Sequence, residues 1–202
     1  MSKDEQREKI AAALSPLDDM FAAMVRNGSM VIEPVQAPYI KSHQLYRLEN
    51  NRVSRPISLH LAIAKDQAGT LLTRSSETMT QFSEAAEIAI SDEAEALRWA
   101  QLYLEIAPPE GGLFRILESA ADIGFRPNLD DVDRARQQQV EQTYAPRIHA
   151  PAVRADNDGF LVTLFAMVGH DLERLDVSVG RDGAIALGRE LLSADLPTVY
   201  WH

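Results

Sequence analysis

The chain has 202 residues, 46% of them hydrophobic and 25% charged, a balance that supports a buried core and argues against disorder. Its 30 acidic and 20 basic residues give a net charge of −10, and a field of that sign repels phosphate backbones, so neither nucleic acid nor an anionic membrane is expected as a partner. With no cysteine there is no disulfide, thiolate chemistry or Cys-ligated zinc; no apolar run approaches the ~20 residues that span a bilayer, and Met1–Glu8 alternates charge where a signal peptide would be apolar, so the expected location is the cytoplasm.

Ser2-Lys3-Asp4-Glu5 reads as a capping box that starts a helix running to about Leu14. Ser15-Pro16-Leu17-Asp18 restarts it, with Ser15 as N-cap and Pro16 in the first helical position. Leu17, Met20, Phe21, Met24 and Val25 then follow helical spacing along one face until Asn27-Gly28, and a stripe of this kind predicts core packing. Pro34, Pro38 and Pro56 break up residues 29–56 into short edge strands and irregular chain, with a turn at Asn50-Asn51. In 57–64 the large apolar residues alternate, predicting a strand with one buried face; 65–69 turns it and 70–74 returns as a hairpin.

No Gly or Pro interrupts the next stretch, which reads as helices over 77–89 and 92–106, the second capped near Ser91-Asp92 and carrying Ala96, Trp99, Ala100, Tyr103 and Ile106 on one side. Residues 76–110 also hold one basic and eight acidic groups, which read as a solvated helix surface, the alternative being a docking face for a basic partner. A strand is expected over 113–118, then a surface helix capped by Asn128 over 129–143. Strands near 152–154, 160–168, 172–179 and 184–192, separated by Gly-containing turns, form an antiparallel meander in which Gly159 and Gly183 are expected at positive φ.

The resulting class is α+β, an antiparallel meander packed on a long helix and preceded by N-terminal helices and a β-hairpin; the provisional domains are 1–75 and 76–202. This element order is similar to that of cystatin-like and nuclear-transport-factor-like folds. The similarity covers about residues 91–192, rests on no motif, and such folds host enzymes and binding modules alike.

Chemical signatures are sparse. There is no dinucleotide-binding, P-loop, zincin or nucleophile-elbow motif, and Asp156-Asn157-Asp158-Gly159, aligned as a calcium loop, lacks its first and last carboxylates and is better explained as a turn. No cofactor or metal is implied. Of five scattered histidines, His170 and His202 are expected in solvent, and His60 lies on the non-core face of its strand, where a cavity could bring it near Asp176 as a general-base pair. Two functional classes follow. The favoured one is a non-catalytic protein-binding or self-associating module, with Tyr200 and Trp201 as candidate anchors. The alternative is a small-molecule enzyme or binder with its pocket between helix 92–106 and the sheet, using His60, Asp176 and Tyr103.

Overall fold

The structure, a computed structural model, describes residues 2–51, 56–72, 75–109 and 113–199. It is an α+β fold with two antiparallel sheets of four and five strands, and its contacts divide the chain into two compact units, Met1–Ala89 and Ile90–His202.

The first unit opens with α1 (Lys3–Leu14) and α2 (Asp19–Arg26). The capping box at its start is present: the Glu5 amide donates to Ser2 Oγ at 3.2 Å and the Ser2 amide to Glu5 Oε2 at 2.7 Å, so two donors that the helix leaves unpaired are satisfied reciprocally. The second cap differs from the sequence reading. Ser15 keeps helical backbone angles as the last residue of the α1 turn and donates its hydroxyl to Asp19, whereas Asp18, in extended geometry, accepts from the amides of Met20 and Phe21. An N-cap needs that extended geometry for its side chain to reach forward, which is why the role passes three residues along. Asn27 and Gly28, the latter at φ 78°, stop α2.

Both helices cover one face of a sheet in the order β1 (Val31–Val35), β2 (His43–Asn50), β3 (Ile57–Ala64), β4 (Gly69–Leu72), with Ile10, Leu14, Ala22 and Val25 packed against Tyr46, Leu48, Leu61 and Ile63. The α2 stripe is only half sunk. Val25 is buried and Phe21 and Met24 are partly covered, but Leu17 and Met20 are 46% and 60% exposed. Strand β2, in the stretch where short edge strands were expected, is an inner strand, because Pro34 and Pro38 fall before it and Pro56 after it; Pro34 itself sits in the edge strand β1, where a missing N–H costs no ladder bond. Paired on both edges, β3 is buried on both faces at its centre, from His60 to Ile63, instead of on one. At Gly69 an added Cβ would lie 2.4 Å from the Ala13 carbonyl oxygen, so the glycine lets the α1 backbone rest directly on β4. Helix α3 (Ser76–Ala85), capped by Ser75, packs on β4 with Met79 and Phe82 buried, so this unit runs past residue 75.

The second unit begins with α4 (Glu93–Ile106), whose cap is Asp92 accepting from the Glu95 amide at 2.8 Å. Then come β5 (Phe114–Leu117), a short 3-10 turn (Ala120–Ile123) and α5 (Asp131–Tyr144), capped by Asp130 where Asn128 was expected. The meander follows as β6 (Ala152–Asp156), β7 (Gly159–Val168), β8 (Asp171–Gly180) and β9 (Ile185–Ser193). Strand β7 is central: β8 takes one edge, while β5 and β6 share the other at opposite ends. Phe165, Met167 and Leu172 face α5 and pack with Val140, Ile148 and Ile123. On the opposite face Phe160, Val162, Leu164, Leu175, Val177 and Val179 are buried where α4 crosses β6, β7 and β8 with Ala96, Trp99, Ala100 and Leu104 inward. The Trp99 indole N–H donates to the Gly183 carbonyl at 2.9 Å, tying α4 to the β8–β9 turn.

Of the two turn glycines, Gly183 has φ 85°, as expected, but Gly159 does not have a positive φ; Asn157, at 41°, takes that role in its turn. Gly159 is required for space instead, since a Cβ there would stand 2.3 Å from the Val179 carbonyl oxygen across the ladder. No helix among the described residues is long and apolar enough to cross a membrane.

Candidate functional site

The residues singled out for chemistry do not form one constellation within either unit. His60 belongs to the first unit, in β3 between Arg47 of β2 and Leu72 of β4, and is 5% exposed instead of lying on a wet face. Tyr103 and Asp176 belong to the second. Tyr103 is buried on α4, whereas Asp176 shares its sheet face with Thr163 and Arg174, the face opposite α4. There it accepts from Thr163 Oγ1 at 2.6 Å and pairs with Arg174 at 2.9 Å, so its oxygens are held by neighbours in the sheet. Tyr200 and Trp201 lie outside the described residues.

What the second unit offers instead is the outer strand of its sheet. The β8–β9 hairpin is set by a tight turn in which the Gly180 amide donates to the Ala184 carbonyl and Asp182 Oδ1 accepts from the Ala184 amide, at 2.8 and 3.0 Å. Beyond the turn eight of the nine residues of β9 pair with β8, Leu192 being passed over at an irregularity beside Leu172/Glu173, and no described strand pairs with its other edge. Every second residue of β9 therefore presents its N–H and C=O away from β8. On the α4 side β9 carries Ile185, Leu187 and Leu191 together with Arg189: Ile185 and Leu187 are half-buried and Leu191 is 58% exposed, while α4 packs chiefly on β6, β7 and β8. Two ion pairs hold the strand to β8, Arg189 to the buried Glu173 at 2.6 Å and Glu190 to Arg174 at 3.5 Å. Beside them, opposite Asp176, stands Gly188, where a Cβ would meet nothing closer than the Asp176 carbonyl oxygen at 3.5 Å, an ordinary contact. Nothing within its own sheet requires a glycine at that point.

Two pockets add to the picture, one in each unit. The first, about 370 Å³, is lined in the first unit by Lys9, Lys41, Ser42, His43, Lys65 and Gln67 among others. Ser42 Oγ and His43 Nδ1 stand 2.7 Å apart, and the His43 ring meets Phe82 edge-on; burial holds its pKa below the ordinary 6.5, against the pull of Asp66 and Glu87. The second, about 240 Å³, is lined in the second unit by Arg126, Asp133, His170, Asp195 and Thr198 among others. Its polar groups are matched internally, Arg126 to Asp133 at 2.9 Å and His170 Nδ1 with Thr198 Oγ1 at 2.8 Å. Backbone bonds from Arg126 to Pro197 and from Leu196 to His170 brace it, so it acts as a clasp for the last described residues. His170, expected in solvent, is half-buried by this clasp.

Sequence reasoning had no access to the lysine pocket, because its members come from α1, the approach to β2 and the β3–β4 turn, and only the sheet topology joins them. The one available signal was scarcity: the chain has four lysines, and three line this pocket. Compared with known proteins, the chain matches no family model, and no curated protein or solved structure is detectably similar to it.

Proposed function

We propose that the chain is a non-catalytic, self-associating module whose second unit pairs through β9 with β9 of a second copy. The observation that carries this reading is Gly188, a glycine in the middle of a nine-residue outer strand with no demand for it from the strand beside it. A strand-interior glycine costs order and packing, and close approach of another backbone is one of the few things that offsets the loss. Antiparallel pairing about a two-fold axis at Gly188 sets Ile185 opposite Leu191 of the other copy, twice over by symmetry, and Leu187 opposite Arg189 on the same face. Both Ile185–Leu191 pairs are apolar, and the ladder groups that β9 leaves unpaired within the sheet are satisfied.

A single strand pair covers less than the about 1,200 Å² of a stable interface, so association should be weak and concentration dependent. The test is the mass in solution, by light scattering, of the full chain and of Leu191→Lys, which puts a charge at both symmetric apolar pairs. A mass rising toward the dimer with concentration in the native chain, and staying monomeric in the variant, supports the reading. A native chain that stays monomeric, or a dimer indifferent to Leu191→Lys, removes it.

A further inference from the structure

The first unit carries a separate feature that does not rest on β9: the pocket of Lys9, Lys41 and Lys65. We propose that it binds a phosphate-bearing small molecule, the three ammonium groups each taking an oxygen of a tetrahedral oxyanion.

Charge is the first argument. In a chain of 30 acidic and 20 basic residues, gathering three of four lysines in one concavity costs repulsion that an anion in the pocket would reverse. None of the three forms an ion pair with a carboxylate among the described residues, although Arg26, Arg126, Arg154, Arg174 and Arg189 each do. Lys41 Nζ donates to the Pro38 carbonyl at 2.7 Å, which fixes its position and leaves its charge unneutralised. Asp66 and Glu87, the two acids that act on His43, are the local negative charges against which the lysines work.

The kind of cation decides the ligand class. Arginine, with its planar fork, is the side chain that matches a planar carboxylate, and among the described residues no arginine lines the pocket. Three compact point charges from different elements suit a group whose oxygens diverge, as those of phosphate do, and the Ser42 hydroxyl and the Gln67 amide in the same lining supply neutral hydrogen bonds. The fold holds the three lysines in place: Gly69 lets α1 seat on β4 beside the Lys65 turn, and Gln67, at φ 73°, sets the course of that turn.

The test is calorimetric titration of the full chain with tripolyphosphate at low ionic strength. The expected result is saturable one-to-one binding, weakened by about tenfold or more in Lys9→Gln/Lys65→Gln, as loss of charge-assisted bonds implies. Binding should be unchanged in Lys3→Gln, the one lysine outside the pocket, and citrate should bind at least about tenfold more weakly. Lys65→Gln alone, in an exposed turn, shows the same direction of change should the double variant prove less stable. The proposal is overturned by absence of saturable binding, by equal weakening in Lys3→Gln, or by citrate binding as well as tripolyphosphate.

Discussion

Removing the Trp99 indole tests the core of the second unit. The residue is fully buried, and an indole of this kind withdraws about 200 Å² from water, worth roughly 5 kcal/mol as an upper bound. Its N–H also satisfies the Gly183 carbonyl, at the apex of the hairpin that launches β9, and that turn is further held by the Ile90 amide on the Arg181 carbonyl at 2.8 Å. Trp99→Ala should therefore cost about 3–5 kcal/mol, the range for emptying a large aromatic site. Trp99→Phe keeps most of the apolar volume but strands the Gly183 carbonyl, a loss of about 1–3 kcal/mol. Urea unfolding followed by circular dichroism reads both. With roughly 4 °C of thermal midpoint per kcal/mol, even the Phe variant is measurable, and the loss should fall on the second unit's transition if the two units unfold separately. Unchanged midpoints in both variants would refute the packing described for α4.

Gly159→Ala forces a Cβ to within 2.3 Å of the Val179 carbonyl and is expected to cost about 1–3 kcal/mol, whereas Gly188→Ala should leave the stability of the monomer within about 0.5 kcal/mol; equal costs in thermal unfolding would contradict the distinction. Arg189→Ala leaves the Glu173 carboxylate, 3% exposed, without its guanidinium and should cost about 3 kcal/mol, against less than about 1 for Arg174→Ala, whose partners are half-exposed; urea midpoints of the two variants decide. His43 has its pKa depressed by burial, so the unfolded chain takes up its proton first. Its contribution to stability is complete above 6.5 and is lost as pH falls from there through the lowered value, and His43→Gln should flatten the unfolding midpoint across that window. A midpoint that falls as steeply in the variant would show that other groups titrate there.

Much of the fold was legible because it is local. The capping box at Ser2, the Asn27-Gly28 stop, the apolar face of α4 and all four strands of the meander are written in spacing and turn residues, and they appear within one to three residues of where the sequence places them. What failed depended on partners remote in sequence. Alternation in β3 could not reveal that its second face is covered, nor the prolines around β2 that the strand between them is an inner one. Leu17 and Met20 carry the spacing of core residues, but periodicity says which face they share, not whether anything covers it. The α5 cap moved from Asn128 to Asp130 because adjacent short polar residues compete for that role and helix register decides between them. The site was least legible of all: His60 was chosen for its strand and Asp176 for its charge, yet Asp176 is occupied by Thr163 and Arg174, and the three pocket lysines lie too far apart in sequence to suggest one another.

The pairing of β9 with a second copy is tested most directly by amide hydrogen exchange across Ile185–Ser193, followed as protein concentration is raised. Alternate amides on the outer edge should exchange quickly when dilute and slow with increasing concentration, in step with the rise in mass, while the amides of β7 and β8 keep the same rates throughout. Exchange in β9 that is independent of concentration, or protection that grows elsewhere and not in this strand, would contradict the account.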